Sequence, residues 1–230
     1  MRIKMIFQLK QPELDIEYRR RFSTLLEDCL RDSAPGAIRS FTFATFLPKP
    51  TFMGNIVRLS STEITLSFST YYPESGINFY NSLIRKREYF ETCPIPGDNA
   101  LRLKRVSLQK EKRITSGEMV FKTISPFLVR RRREESDNDE YLTAKHSLFI
   151  PQIEADISKT IKELTGKQDR VKFIPVKLNE GIPIKHGGMF VEGNSGIFKL
   201  TGEPGILDFI YKVGIGSRRP EGFGFLEVVG

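Results

Sequence analysis

The sequence predicts an α+β fold of two tandem ferredoxin-like (RRM-like) domains with a C-terminal glycine-rich loop. The first half shows strand and helix patterns in the order β-α-β-β-α-β, which is the order of that fold. The second half repeats a similar order less clearly. A length of 230 residues also suits two such domains. We therefore expect an N-terminal domain over residues 1–115 and a C-terminal domain over residues 116–230.

The first half begins with a strand and an amphipathic helix. Residues 1–10 alternate, which is typical of a half-buried strand. Its predicted buried face carries Ile3, Met5, Phe7 and Leu9, whereas Arg2 belongs to the polar face. Apolar residues then recur at helical spacing over about 16–32. The segment 33–36, which contains a proline and a glycine, ends this helix.

The rest of the first half predicts three strands, a second helix and a fourth strand. The strands contain Phe41, Ile56 and Ile64, the last with strict alternation. Segments 73–76 and 94–97 are predicted as a turn and a loop because of their prolines and glycines. The predicted helix covers about 77–84, and the final strand covers 101–108.

The second half predicts the same kinds of element. A strand-like run covers 120–129, and the charged run at 130–140 is typical of a loop or a mobile hairpin tip. A long helix over 150–164 is stopped by Gly166. The remaining predictions are a strand at 171–176, two strands around a turn at 193–196, a short helix at 206–211 and a last strand at 223–229.

Composition narrows the class of partner. The formal net charge of +8 favours a polyanion, such as nucleic acid or an anionic membrane surface, over a merely solvated basic surface. Cys29 lies on an apolar helical face and is predicted to be a buried thiol. No Cys/His cluster has metal-ligand spacing, so we expect no metal and no other cofactor. With no signal-peptide pattern and no bilayer-length apolar run, a cytoplasmic location is expected.

The glycine-rich stretch at 213–225 contains four glycines and two arginines. It follows a helix and precedes a strand, whereas phosphate-binding loops run from strand to helix, so a mononucleotide site is disfavoured. Two interpretations stay open: a backbone surface against RNA, or a turn that only packs the two domains together. Under the first, the RNA-binding candidates are Lys212, Gly214, Gly216, Ser217, Arg218 and Arg219.

Two other basic groups are candidates for phosphate contacts. Arg19 and Arg20 lie in the first turn of the first helix, and Arg130 and Arg132 would share one face if the arginine run formed a strand. Such contacts would give salt-dependent affinity, although a solvated edge is the alternative. His146 and His186 have no obvious catalytic partner and are predicted to be surface residues.

With these residues in place, the chain resembles a known family. The stretch KVGIGSRRPEGFG at 212–224 is similar to the glycine-rich signature of the CRISPR-associated endoribonucleases that cut precursor CRISPR RNA within its repeats. Weaker similarities keep the family's order at 40–44, 122–126 and 202–204. The likeness covers essentially the whole chain. These enzymes belong to the repeat-associated "mysterious protein" superfamily.

The resemblance implies RNA in the cleft between two ferredoxin-like domains. It implies metal-independent cleavage, in which the ribose 2′-hydroxyl attacks the scissile phosphate to give a 2′,3′-cyclic phosphate and a 5′-hydroxyl. That chemistry needs a base, an acid and cations for the phosphorane. The implied partner is CRISPR repeat RNA, and other CRISPR effector subunits or a second copy of the chain are further partners to consider.

One departure from the family concerns catalysis. Many members have a catalytic histidine just after the first helix, but residues 33–39 contain none. The protein could bind repeat RNA without cutting it, alone or as an effector-complex subunit. It could instead have a replaced histidine, with Ala37 as the candidate position. Or it could cut with other groups, for which the candidates are Tyr18, Ser33, Arg39 and Lys49.

Overall fold

A computed structural model of the chain describes residues 1–31, 36–91, 93–96, 98–132 and 139–229. The N-terminal half contains β1 (Arg2–Leu9), β2 (Glu13–Asp15), α1 (Tyr18–Leu30), β3 (Phe41–Phe46), β4 (Thr51–Met53), β5 (Ile56–Arg58), β6 (Glu63–Thr70), α2 (Pro73–Arg85), β7 (Cys93–Ile95) and β8 (Asn99–Leu108). The C-terminal half contains β9 (Glu118–Thr123), β10 (Val129–Arg132), β11 (Asp139–Leu142), α3 (Phe149–Thr165), β12 (Lys172–His186), β13 (Met189–Thr201), α4 (Pro204–Val213) and β14 (Leu226–Val228).

The N-terminal half forms an antiparallel sheet in the order β3-β6-β1-β8-β7. Taken in chain order, β1, β3, β6 and β8 are its first to fourth main strands, so their spatial order is 2-3-1-4, as in the split β-α-β fold. The apolar face of β1 is buried as predicted, with Ile3, Met5 and Phe7 fully inaccessible. It packs in one core with apolar side chains of α1 and α2.

The C-terminal half repeats this topology. Its sheet has the order β12-β13-β9-β14, which is again 2-3-1-4, and α3 and α4 contribute buried apolar side chains to its core. The predicted fold class of two tandem ferredoxin-like domains is therefore confirmed. Ile114 packs in the C-terminal core, and β9 begins at Glu118. The division between residues 115 and 116 stays a prediction.

Three predicted local structures were wrong. The predicted turn at 73–76 is the first turn of α2, because a proline is well suited to the first helical position. The predicted loop at 94–97 begins instead as edge strand β7, where a proline is tolerated. The predicted turn at 193–196 lies inside the continuous strand β13. There the buried Asn194 side-chain amide donates to the Leu142 carbonyl, and a β-carbon on Gly196 would overlap the Lys177 carbonyl of the neighbouring strand.

Two predictions fall partly or wholly outside the described residues. The end of the first helix was assigned to 33–36, of which only Gly36 is described, so Ser33 is not placed. The charged run at 130–140 is described at both ends, which pair as β10 and β11 with Val129 opposite Leu142. The tip that was predicted between them lies outside the described residues.

A polar row across the N-terminal sheet joins the two domains. Thr42 on β3 lies opposite Ser69 on β6, and Ser69 lies opposite Arg2 on β1. Thr42 Oγ1 donates to the Phe223 carbonyl at 2.8 Å, and Ser69 Oγ donates to the Lys212 carbonyl at 2.8 Å. We call Thr42, Ser69 and Arg2 the interdomain row. It fixes the sheet against the backbone that leads into and out of the glycine-rich stretch.

Arg2 is the buried end of the interdomain row, and its predicted position on a solvent-facing polar surface was wrong. Its side chain is 1% exposed because the C-terminal domain covers that face. Its guanidinium donates to the carbonyls of Tyr211 and Leu226 and pairs with the Glu227 carboxylate at 2.9 Å. It also lies 3.8 Å from the centre of the Tyr211 ring. These contacts offset part of the free-energy cost of burying the positive charge of Arg2.

Both cysteines are buried free thiols, which confirms the prediction for Cys29. Burial raises the pKa of Cys29 to about 11, so the reactive thiolate is scarce at neutral pH. We expect neither Cys29 nor Cys93 to react with Ellman's reagent within minutes at pH 8 in the native protein, and both to react in denaturant. Absorbance at the thionitrobenzoate band measures this, and rapid native reaction of either thiol would contradict the burial.

Candidate nucleic-acid interface

The glycine-rich stretch connects α4 to β14 and lies between the two domains. Gly214 has a φ of 83°, and a β-carbon there would lie 3.0 Å from a methyl carbon of Thr42 in the interdomain row. Gly222 similarly faces the ring of Phe43. Gly216 faces backbone of Leu128, which belongs to the C-terminal half. The glycines therefore admit protein atoms at close range, as the domain-packing interpretation requires. A contact of Gly214 or Gly216 with RNA stays a prediction.

Arg218 is the centre of a charged cluster on this stretch. Its Nε donates to the Tyr141 hydroxyl at 2.9 Å, and its Nη1 donates to the Glu221 carboxylate at 3.2 Å. Burial opposes the charge on Arg218, but the Glu221 carboxylate more than offsets this, so its pKa is raised. Arg218 also has a φ of 56°, which is uncommon outside glycine and is typical of functional loops.

His186 completes this cluster, and the prediction that it is a surface residue was wrong. Its side chain is 9% exposed, and its Nε2 lies 2.7 Å from the Glu221 carboxylate. Burial acts to raise the pKa of Glu221, but the hydrogen bond from His186 and the charge of Arg218 lower it overall. The signal missed in the sequence was Gly187-Gly188, a two-residue hairpin turn that places His186 at a strand end.

Arg219 points away from this cluster into the C-terminal domain. Its Nη1 donates to Thr160 Oγ1 on α3 at 2.6 Å and to the Gly216 carbonyl at 3.2 Å. Its Nε is buried and has no partner. Burial lowers the pKa of Arg219 to about 10. The two neighbouring arginines therefore have different surroundings, and contact of either with phosphate stays a prediction.

The β12–β13 tip, residues 186–189, reaches from the C-terminal domain to the N-terminal domain. The Gly188 amide donates to the Glu17 carboxylate just before α1, and Lys185 Nζ donates to the Asn55 side chain, both at 2.7 Å. The guanidinium of Arg19 lies over the rings of both Tyr18 and Phe223. The start of α1, the tip and the glycine-rich stretch thus meet at one place between the domains.

The other RNA-binding candidates differ in their exposure and in the protein groups that already contact them. Arg20 is exposed on α1. Lys212 Nζ lies between Asp208 at 2.8 Å and Glu111 at 3.4 Å, so two carboxylates already compensate its charge. Both the amide and the hydroxyl of Ser217 donate to the Leu128 carbonyl. These bonds attach the glycine-rich stretch to the C-terminal domain.

The arginine run lies on the exposed β10–β11 hairpin. Arg130 pairs with Asp139 at 3.1 Å, and Arg131 lies 3.9 Å from Glu140. The start of the run, predicted as a loop or hairpin tip, is strand β10, so Arg130 and Arg132 share one of its faces, and both are exposed. Because α3 contacts β10, this hairpin belongs to the same side of the C-terminal domain as Thr160 and Arg219.

The four catalytic candidates that are described do not form one obvious acid–base set. Ala37 is 4% exposed in a 3₁₀ turn, Ala37–Arg39, that packs against the 3₁₀ turn Arg219–Glu221. Arg39 and Lys49 are exposed, whereas Tyr18 is buried against Phe22. Ala37 thus adjoins the glycine-rich stretch without supplying a proton donor or acceptor there.

Two further properties bear on the class of site. No helix in the described ranges is long and apolar enough to cross a membrane. Within the same ranges, no group of three or more His, Cys, Asp or Glu residues could hold a metal ion.

Three solved structures show the same fold at low sequence identity. The first, described as an RAMP protein binding different RNA substrates, has a TM-score of 0.83 and 18% identity, with 100% of both chains covered. A second comes from a Cas6-related gene of Pyrococcus furiosus, with a TM-score of 0.84, 19% identity, and 100% of this chain and 98% of the other covered. A third, a Cas6 product complex, has a TM-score of 0.69 and 14% identity, with both chains covered in full.

Comparison of the sequence with protein families gives a match to the same group of proteins. A search of curated proteins gave no match. The family described as "CRISPR associated protein Cas6, C-terminal" matches residues 109–228, which is more than half of the chain and includes the whole glycine-rich stretch. The protein therefore belongs to the Cas6 family of CRISPR-associated proteins.

Proposed function

We propose that this protein binds CRISPR repeat RNA and cleaves precursor CRISPR RNA within its repeats. The observation that carries the proposal is the family match over 109–228, which contains the signature from which the same function was expected. One protein of the same fold is described as binding different RNA substrates, and another as a Cas6 product complex. The net charge of +8 suits an RNA ligand.

In this proposal the RNA lies where α1, the β12–β13 tip and the glycine-rich stretch meet. Exposed Arg20 contacts phosphate there, while Arg19 and Arg218 hold positive charge at the interdomain surface. Arg130 and Arg132 extend the basic surface along the β10–β11 hairpin. Contacts of this kind supply affinity without base specificity.

The proposed cleavage is an internal transesterification. The ribose 2′-oxygen forms a bond to phosphorus and the bond from phosphorus to the 5′-oxygen breaks. The 2′-hydroxyl loses its proton and the leaving oxygen gains one, which leaves a 2′,3′-cyclic phosphate and a 5′-hydroxyl. Positively charged groups near the phosphate stabilise the additional negative charge of the transition state.

We expect Arg20→Ala to weaken binding of labelled repeat RNA a few-fold and to flatten its salt dependence. Loss of one phosphate contact on single-stranded RNA should reduce the slope of log K against log salt by about 0.7. Gel-shift titrations in EDTA at several salt concentrations measure both quantities. Arg87→Ala is the matched control, because Arg87 is an exposed arginine just beyond α2 and away from this surface. An equal loss in both variants would argue against the proposed RNA position.

A non-cleaving repeat-RNA-binding protein, alone or in an effector complex, is the second candidate. It is favoured by Ala37, the candidate position for a replaced histidine, which is a buried methyl group beside the glycine-rich stretch. Incubating labelled repeat RNA with the protein in EDTA separates the two candidates. A discrete cut with a cyclic phosphate end supports the enzyme, and a mobility shift without a cut supports the binder.

A further inference from the structure

One partly buried ionisable cluster contains a histidine that has no role in the function as proposed so far. It consists of His186, Glu221, Arg218 and Tyr141, at the point where the β12–β13 tip contacts the glycine-rich stretch. We propose that His186 is the general acid that protonates the leaving 5′-oxygen during cleavage, an inference that rests on the proposed function. His186, at the β12–β13 tip, would thus supply the proton donor that Ala37 does not provide.

The geometry of the His186–Glu221 pair suits this role. Nε2 lies 2.7 Å from the Glu221 carboxylate, so this nitrogen carries a proton that the carboxylate accepts. The carboxylate fixes the orientation of the ring, which is one way a carboxylate supports histidine in acid–base catalysis. Nδ1 makes no hydrogen bond to any residue that the structure describes. It is also not a fully buried polar atom without a partner. It is therefore the nitrogen available to substrate.

The residues around the His186 ring fix its orientation and, in this proposal, provide positive charge for a phosphate. Phe223 packs edge-on against the ring, with 5.6 Å between ring centres, and limits its rotation. Arg218 Nη1 lies 3.1 Å from Nε2, and the guanidinium of Arg19 lies over the Phe223 ring, 5.6 Å from its centre. In this proposal the two guanidinium groups contact the non-bridging oxygens of the scissile phosphate.

The 2′-oxygen bonds to phosphorus as its proton passes to water, and the bond from phosphorus to the 5′-oxygen breaks. The 5′-oxygen takes the proton on Nδ1 of the imidazolium, which leaves neutral His186 with its remaining proton on Nε2 beside Glu221. The ring then regains a proton from solvent.

The test compares His186→Ala with the unchanged protein on two RNAs, one of which carries sulfur in place of the bridging 5′-oxygen. A thiolate leaves without protonation, so a general acid is needed only for the oxygen substrate. We expect the variant to cut the oxygen substrate about 10²–10⁴-fold more slowly in single-turnover assays. On the sulfur substrate it should stay within about tenfold of the unchanged protein, because the remaining effect is one of positioning.

Controls separate catalysis from folding and binding. His146→Ala removes the other histidine of the chain, which is exposed, and should leave both rates unchanged. His186→Gln preserves side-chain volume and polarity, and should repeat the oxygen-specific loss if His186→Ala folds poorly. Repeat-RNA affinity and the thermal midpoint are measured for each variant.

Three results would overturn the assignment. Equal losses on the oxygen and sulfur substrates would indicate a structural role for His186. Full cutting by the variants would place the general acid elsewhere while the proposed function stands. Binding without any cutting by the unchanged protein would remove catalysis by His186 and leave the RNA-binding part of the proposed function, whereas absence of binding would remove both.

Discussion

Replacing Gly224 with alanine is expected to lower the free energy of unfolding by about 2–5 kcal/mol. Gly224 has a φ of 69°, a backbone conformation that costs an L-residue about 1–2 kcal/mol. A β-carbon there would also overlap the carbonyl oxygen of Ile215. The backbone is held close at this point because the Ile215 amide donates a hydrogen bond to the Gly224 carbonyl at 3.0 Å. Overpacking of this kind adds about 1–3 kcal/mol. Urea denaturation measures the change.

Gly166→Ala is the matched control for that substitution. Gly166 ends α3 with a similar φ of 73°, but a β-carbon there would have no atom within 4 Å. Only the conformational cost of about 1–2 kcal/mol is therefore expected. If Gly224→Ala costs no more than Gly166→Ala, the glycine-rich stretch is not held by close packing, and an open RNA-facing loop would be the better description.

Arg2→Ala is expected to reduce the free energy of unfolding by about 3–6 kcal/mol, because two buried hydrogen bonds from a charged donor, at about 1.5–3 kcal/mol each, are lost. The substitution leaves the carbonyls of Tyr211 and Leu226 without their donor and removes the cation stacked on Tyr211. The effect should appear in urea or thermal denaturation followed by circular dichroism, and it should separate the unfolding of the two domains.

Two variants locate the origin of this effect. Lys4→Ala changes a half-buried cation of the same strand face and should cost less than about 1 kcal/mol. Glu227→Gln removes the charged partner of Arg2 but leaves both hydrogen bonds from Arg2 to the carbonyls, so it should cost less than Arg2→Ala. A small effect of Arg2→Ala, comparable with that of Lys4→Ala, would mean that the interdomain row does not hold the domains together.

The fold could be predicted because its signals are local. Alternation in β1 identified the buried face of Ile3, Met5 and Phe7, and helical spacing identified α1 and α3 to within a few residues. Arg2 could not be placed in the same way. Alternation shows which face of a strand is polar, but not that another domain covers that face and supplies carbonyls to its donors.

The site was predicted less well, because it depends on contacts between distant segments. The glycine-rich stretch was identified, but its two interpretations could not be separated without Thr42 and Phe43, which lie about 180 residues earlier in the chain. His186 was assigned to the surface because Glu221, its partner, lies in a different element. Neither residue has a local pattern that would indicate the pair.

We propose that this Cas6 protein binds and cuts repeat RNA at the surface between its two domains. Incubation of end-labelled repeat RNA with the protein in EDTA, beside a scrambled RNA of equal length and composition, tests this most directly. We expect tight binding of the repeat and one discrete cut in it, with a 2′,3′-cyclic phosphate on the upstream product. Equal binding of both RNAs with no cut in either would contradict the claim.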